Sequence, residues 1–165
     1  FEKVDFFGMS YYARLTHDPY PITYLETPDK IKKLGVTHDD MWEYHPEGLR
    51  TCIDRYWNKY KKPIIITENC VCDENDTLRQ KAIIDYAKIL HQALKDGIDI
   101  RGYFWWSAWD NFEWHLGPTK RFGLYEVDLK TMNRKKRKSA DTFSQLAHYN
   151  MIEVVDEERE VLVTK

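Results

Sequence analysis

Three short apolar segments alternate with longer segments in which apolar residues recur at helical spacing. The apolar segments cover residues 4–12, 64–68 and 98–106, and each ends in polar or aromatic side chains. Three consecutive isoleucines after Pro63 indicate an interior strand of a parallel sheet that is buried on both faces. Glu68 ends this run. It either marks the strand end alone or lies at the carboxyl edge of the sheet, where α/β folds place their chemistry.

Three helices are predicted between and after these strands. A helix over residues 46–60 begins with a proline, which suits the first helical position. A second helix covers residues 77–95, and Gly97 is its natural stop. Ser139 is expected to cap a last helix that ends at about residue 149.

The remaining segments have weaker patterns. Residues 13–44 contain several prolines and predict a long surface loop, and residues 122–128 favour a short extended piece. The basic run at residues 134–138 is compatible with nucleic-acid binding, but a solvated turn before the last helix is favoured in a chain of net charge −2. The acidic residues 156–160 show no periodic apolar face.

The alternation of strand and helix, three times over, is typical of βα units around a parallel sheet. A chain of 165 residues suffices for one core, so a single domain over residues 1–165 is expected, without a second domain. Three parallel strands leave both sheet edges open, whereas a closed (β/α) barrel usually needs about 250 residues. We therefore expect this chain, which lacks an initiator methionine, to be the C-terminal part of a larger protein.

Composition excludes several classes of function. A net charge of −2 and a pI near 6.3 give no electrostatic reason to expect nucleic acid. No apolar run approaches the roughly 20 residues that a membrane span needs. The three cysteines, Cys52, Cys70 and Cys72, are too few for a disulfide framework and favour a reducing, cytoplasmic compartment. No second ligand pair accompanies Cys70 and Cys72, so neither a metal site nor a cofactor is expected.

Aromatic residues are abundant, at 15% of the chain, and such side chains often line sites that bind sugars, although core packing must account for many of them. Tyr12, Glu68 and Trp106 stand at three strand ends, and a second carboxylate, Glu113, follows on the next loop. Two carboxylates between aromatic walls suit acid–base or nucleophilic work on a glycoside. The spacing alone does not decide which of the two is the nucleophile.

Four sequence blocks occur in a fixed order along the chain. They are Asp5-Phe6 with Tyr11-Tyr12, Trp42-Glu43 with Pro46-Glu47-Gly48-Leu49, Ile66-Thr67-Glu68-Asn69, and Trp106-Ser107 with Asp110-Asn111-Phe112-Glu113-Trp114 and Arg121-Phe122-Gly123. Together they resemble glycoside hydrolase family 1, the β-glucosidase and β-galactosidase family of (β/α)8 barrels. The resemblance implies an α/β fold, the C-terminal part of a TIM barrel with about its last three βα units.

The resemblance also implies roles for individual residues. Glu68 resembles the catalytic nucleophile, which forms a covalent glycosyl-enzyme intermediate. Tyr12 resembles the tyrosine whose hydroxyl orients that carboxylate. Trp106 resembles the platform beneath the sugar ring, and Trp42 the tryptophan on the aglycone side.

Glu113 and Trp114 resemble the residues that bind the outer hydroxyls of the same sugar. A carboxylate accepts hydrogen bonds from hydroxyls but repels a phosphate, so Glu113 favours a plain β-glycoside over a phosphorylated one. Two positions depart from the family pattern. Ser10 replaces the usual asparagine beside the site, and Cys70 replaces a glycine, at a cost if that turn requires a positive φ.

The family's acid/base glutamate lies in an Asn-Glu-Pro motif, which does not occur in these 165 residues. The resemblance therefore implies a partner, the N-terminal half of the barrel, on the same parent protein or on a separate chain. Without the acid/base residue a retaining hydrolase turns over activated leaving groups at best. The alternative hypothesis is a non-catalytic half-barrel that binds sugar or a partner protein.

Overall fold

The computed structural model of the protein describes residues 3–15 and 35–150. In chain order the elements are β1 (Phe7–Tyr11), α1 (Glu47–Tyr60), β2 (Ile64–Asn69), α2 (Thr77–Lys95), β3 (Ile100–Tyr103), a 3-10 turn (Trp114–Leu116), β4 (Tyr125–Val127), β5 (Arg134–Lys136) and α3 (Lys138–Tyr149). Residues 16–34 of the predicted loop and the acidic residues 156–160 lie outside the described residues.

The first three strands form one parallel sheet in the order β1-β2-β3, which confirms the predicted βα alternation. Ser10 pairs with Glu68 and Tyr11 with Asn69, so the carboxyl ends of β1 and β2 meet at one edge of the sheet. Within the described part of the chain, β1 and β3 are the outer strands and each leaves one side without a neighbouring strand.

One face of this sheet is buried and the other is open. Ile64 and Ile66 are fully buried in the core beneath the helices, whereas Ile65 is half-buried and Thr67 is exposed. The prediction that this strand is buried on both faces is therefore wrong for the described structure. The reason is that residues 3–15 and 35–150 place their helices on the Ile64 side alone.

Strand β3 is shorter than the predicted segment 98–106, but its pairing with β2 continues beyond Tyr103. The Phe104 N–H donates to the Ile66 carbonyl at 2.9 Å, and the Trp106 N–H donates to the Asn69 carbonyl at 3.0 Å. These two bonds fix Trp106 beside the end of β2.

The helices agree closely with prediction at α2 and less well elsewhere. Helix α2 has the predicted bounds, and Gly97, with φ of 82°, follows its end. Pro46 precedes α1 as its N-cap instead of occupying the first helical position. None of the helices in the described ranges has the length and apolar character needed to cross a membrane.

The predicted cap of the last helix is wrong. Arg137 is the N-cap of α3, and Ser139 lies inside the first turn. The Ser139 hydroxyl and backbone N–H both donate to the carboxylate of Asp76, the N–H at 2.9 Å. A carboxylate at the start of α2 thus satisfies an N–H at the start of α3, which a local sequence pattern does not reveal.

The basic run forms a strand, and the predicted solvated turn is wrong. Arg134–Lys136 pairs antiparallel with Tyr125–Val127, and all three basic residues are exposed. The predicted extended piece at residues 122–128 is confirmed as this partner strand.

Candidate active site

The candidate site lies where β1 and β2 end. Glu68, the fifth residue of β2, is half-buried, and the hydroxyl of Tyr12 donates a hydrogen bond to its Oε2 atom. Tyr12 follows the last residue of β1, and Ser10 pairs with Glu68 in the sheet register. The parallel pairing of the two strands therefore brings this phenol and this carboxylate together.

The environment of Tyr12 keeps its phenol protonated. Burial raises the pKa of Tyr12 well above its usual value, and the hydrogen bond to Glu68 raises this pKa further. The negative charges of Glu68 and Glu113 act in the same direction. Tyr12 is consequently a hydrogen-bond donor at neutral pH, and Glu113 lies close enough for its charge to act on the same phenol.

Trp42 forms an aromatic wall beside Tyr12. The ring centroids of Tyr12 and Trp42 are 5.4 Å apart, and those of Trp42 and Phe122 are 5.8 Å apart. Phe122 is buried, so this wall is anchored in the core at one end. Such offset aromatic contacts add to the stabilisation from burial alone.

A buried carboxylate holds the segment that contains Trp42. Asp39 accepts hydrogen bonds from the backbone N–H groups of Met41 at 2.6 Å and Trp42 at 2.5 Å through Oδ1, and of Cys72 at 2.8 Å through Oδ2. Burial raises the pKa of Asp39 to about 6, although the three N–H donors lower it in part. Asp39 thus links the Trp42 segment to the loop that follows Glu68.

The loop after β3 is fixed by a buried ion pair. Arg137 donates to both oxygens of Asp110, at 2.9 and 2.8 Å, and the Gly123 N–H donates to the same carboxylate at 3.0 Å. A Cβ atom on Gly123 would lie 2.2 Å from the Asp110 nitrogen, so only glycine fits here. These contacts hold the segment between Trp106 and Glu113 against the start of α3.

Two predicted sugar-binding residues on this loop have different environments. The Glu113 N–H donates to the Gly117 carbonyl at 2.8 Å, and the Asn111 amide lies 3.4 Å from Glu113 Oε2. Trp114 is 83% exposed, so its ring is at the surface. Trp106 is half-buried, and the peptide bond between Trp106 and Ser107 is cis.

The sequence model of glycosyl hydrolase family 1 matches residues 1–152. The chain belongs to glycosyl hydrolase family 1. The resemblance of the four sequence blocks is thereby confirmed.

Characterised members of glycosyl hydrolase family 1 are similar over most of this chain. A β-galactosidase of Sulfolobus acidocaldarius is 34% identical over 91% of this chain and 32% of its own length. Beta-glucosidase 4 of Oryza sativa subsp. japonica is 36% identical over 87% of this chain and 35% of its own length. The chain therefore spans about one third of the length of these curated relatives.

Solved structures of similar enzymes agree with the fold. The crystal structure of the β-glycosidase from Thermosphaera aggregans superimposes with a TM-score of 0.80, at 36% identity, over 92% of this chain and 33% of that chain. A β-glycosidase from Pyrococcus horikoshii gives a TM-score of 0.74 at 34% identity. The arrangement of βα units matches part of these glycosidase structures.

The two departures from the family pattern have clear environments. Ser10 Oγ lies 3.2 Å from Thr67 Oγ1, so this hydroxyl binds a neighbouring strand and not the Glu68 carboxylate. Cys70 is fully buried, and it is not among the described non-glycine residues with positive φ. The backbone cost expected at Cys70 for a positive φ therefore does not arise.

Several residues of this family 1 site were not assigned from the sequence. Asn69, Asp110 and Phe122 lie within the four sequence blocks, so their positions in those blocks could have identified them as residues of the site. The contacts of Asp39 with Cys72 and of Arg137 with Asp110 gave no signal, because these partners lie 33 and 27 residues away in the chain.

The expected absence of a metal stays a prediction. In the ranges that the structure describes, no group of three or more histidine, cysteine or acidic side chains is arranged to hold a metal ion. Cys52, Cys70 and Cys72 are unpaired, and burial raises the pKa of Cys70 well above its usual value. The Cys70 thiol is therefore protonated at neutral pH.

Proposed function

We propose that this chain is part of a retaining β-glycosidase that hydrolyses non-phosphorylated β-glycosides, with Glu68 as the nucleophile. The observation that supports the proposal is the hydrogen bond from Tyr12 to Glu68 at the carboxyl edge of the sheet, in a chain of glycosyl hydrolase family 1. A neutral donor of this kind holds a carboxylate in place without neutralising its charge.

The proposed reaction proceeds by double displacement. A Glu68 oxygen forms a bond to the anomeric carbon while the bond from that carbon to the aglycone oxygen breaks. A general acid protonates the departing oxygen. Water then attacks the anomeric carbon, the Glu68 ester bond breaks, and the same group, now a base, takes the proton of that water.

The general acid is expected outside these 165 residues, because the chain has no Asn-Glu-Pro motif. We propose that the chain contributes about the last three βα units of a (β/α)8 barrel, and that the remaining strands come from the same protein or from a separate chain. The outer positions of β1 and β3 in the described part of the sheet and the span of about one third of the relatives support this arrangement.

The proposed substrate class rests on the roles that the family 1 sequence blocks imply for four further side chains. We propose Trp106 as the platform for the sugar and Trp42 as the wall on the aglycone side. Glu113 and Trp114 would bind the outer hydroxyls, and the Glu113 charge would disfavour a phosphate there. The unpaired cysteines support a reducing compartment such as the cytoplasm for this enzyme.

The test is hydrolysis of an aryl β-glucoside by the complete protein, or by this chain mixed with the missing half of the barrel. Substituting Glu68→Gln is expected to lower kcat by about 10⁴-fold, since the nucleophile is lost. Glu126→Gln, at an exposed position of strand β4, is the matched control and should retain activity. Full activity of Glu68→Gln would exclude this nucleophile.

A non-catalytic half-barrel is the second candidate, and the lack of an Asn-Glu-Pro motif in the chain favours it. It predicts that the chain alone binds a β-glucoside in calorimetry, unfolds cooperatively and shows no turnover even with the missing half present. Turnover in that mixture would exclude this alternative.

A further inference from the structure

Asn69, the last residue of β2, makes hydrogen bonds to the chain at the ends of both neighbouring strands, two through its side chain and one through its backbone. It is fully buried, its Nδ2 atom donates to the Tyr11 carbonyl at 2.8 Å, and its Oδ1 atom accepts from the Tyr103 hydroxyl at 2.9 Å. Its backbone carbonyl accepts from the Trp106 N–H at 3.0 Å. One residue therefore connects the ends of β1, β2 and β3.

Each of these contacts lies next to a residue of the proposed site. Tyr11 precedes Tyr12, Asn69 follows Glu68, and the third contact is to Trp106 itself. A shift of the Asn69 side chain would therefore move the Tyr12 phenol relative to the Glu68 carboxylate. Displacements of about 1 Å in such a geometry cost up to about 100-fold in rate.

We infer that Asn69, oriented by the hydroxyl of Tyr103, is a positioning residue that fixes the Glu68 carboxylate relative to Tyr12 and Trp106. The inference rests on the proposed function of Glu68. Asn69 itself touches neither substrate nor reacting atoms, so it acts through its neighbours.

The chemistry of the two contacts requires an amide. Nδ2 must donate to a carbonyl, while Oδ1 must accept from a phenol, and only asparagine offers both groups at this length. Burial raises the pKa of Tyr103 well above its usual value, so its hydroxyl is protonated and donates. Aspartate at position 69 would direct an oxygen toward the Tyr11 carbonyl, and leucine would leave both partners unsatisfied.

Tyr103→Phe is the variant of choice, because it removes one oxygen atom and leaves Asn69 in place. In the assembled barrel we expect kcat on an aryl β-glucoside to fall about 10-fold, with KM changed less than about 2-fold. Tyr44→Phe is the control, since it removes a hydroxyl that donates to Asp85 at 2.8 Å on helix α2. Its kcat should equal that of the unsubstituted protein.

A double-mutant cycle separates positioning from a loss of stability. If the Tyr103 hydroxyl acts through the Tyr12 and Glu68 geometry, Tyr103→Phe should lower kcat less than about 2-fold in a Tyr12→Phe background. A full 10-fold loss in that background as well, or an unchanged kcat in the single variant, would overturn the inference.

Asn69→Asp provides a second variant with an expected larger loss of kcat. The outcomes also distinguish this inference from the proposed function. Full activity of Glu68→Gln would reject the nucleophile itself. An inactive Glu68→Gln together with a normal kcat for Tyr103→Phe would reject the positioning role of Asn69 alone.

Discussion

At the residue scale, the partners of two carboxylates distinguish their roles. Asp110 has both oxygens engaged by the guanidinium of Arg137, which compensates its charge and fixes a loop. Glu68 receives the neutral hydroxyl of Tyr12 on Oε2. A carboxylate that keeps its charge and part of its lone-pair capacity suits nucleophilic attack, so the hydrogen bonding agrees with the proposed role of Glu68.

Asp39 provides a pH-dependent prediction. Burial raises its pKa from the ordinary 3.8 to about 6, so the folded protein binds a proton more tightly than the unfolded chain does. The contribution of this carboxyl to the free energy of unfolding is therefore fully present below about pH 4 and is lost as the pH rises through about 6, a difference of about 3 kcal/mol.

The measurement is denaturant unfolding from pH 4 to pH 7 for three proteins. The stability difference between the unsubstituted protein and Asp39→Asn should fall by about 2.5 kcal/mol over this range, because the Asp39 carboxyl of the unfolded chain is already partly ionised at pH 4. Glu126→Gln, at an exposed position on strand β4, should keep the pH dependence of the unsubstituted protein. An identical pH dependence for Asp39→Asn would contradict the assignment.

At the scale of elements, the sequence pattern predicted the helix bounds that depend on residues within one segment, but not the contacts between distant segments. Helix α2 has its predicted bounds, since its apolar spacing and Gly97 act within the segment. The contact of Ser139 with Asp76, in place of the predicted cap, and the strand at Arg134–Lys136 were missed because Asp76 and Tyr125–Val127 lie elsewhere in the chain. Three consecutive basic side chains disfavour a strand by propensity, and the antiparallel pairing overrides that preference.

The ion pair between Asp110 and Arg137 links the loop after β3 to helix α3. Arg137→Met should lower the free energy of unfolding by about 3 kcal/mol, because it removes the guanidinium that binds both oxygens of the buried Asp110 carboxylate and leaves only Arg121, at 3.6 Å, as a cationic partner. Lys136→Met, which removes the exposed ion pair with Asp141, should change stability little. Equal effects of the two substitutions on chemical denaturation would contradict the structural role of Asp110.

At the scale of the whole molecule, the sequence predicted an incomplete βα architecture but not the open face of its sheet. Three strands in 165 residues imply unpaired edges, and the structure confirms the outer positions of β1 and β3 in its described part. Which isoleucines face the core was not predictable from a run of three, since such a run has no alternation. The positions of Glu68 and Tyr12 followed from the family blocks, whereas the Asp39 contacts required the fold.

A substitution at Phe104 tests whether the open face of the sheet becomes the interior of a barrel. Its side chain lies on the Ile65 side of the sheet and is 60% exposed. In the assembled barrel, Phe104→Asp should lower the free energy of unfolding by about 3 kcal/mol or more, because the charge becomes buried. In the chain alone the same change should have little effect.

Tyr149→Asp is the control, since Tyr149 on helix α3 is 61% exposed and should tolerate the charge in both settings. Chemical denaturation gives the change in the free energy of unfolding for each of the two substitutions, in the chain alone and in the assembled protein. A neutral effect of Phe104→Asp in the assembled protein would show that this sheet face does not become buried.

The central claim is that Glu68 becomes covalently bound to the sugar. The most direct measurement is peptide mass spectrometry of the assembled protein after reaction with a slowly hydrolysed fluoro-sugar glycoside that has a good leaving group. We predict a sugar adduct on the peptide containing Glu68 and its absence after Glu68→Gln. An adduct on a different carboxylate, or turnover of the reagent without any adduct on Glu68, would contradict it.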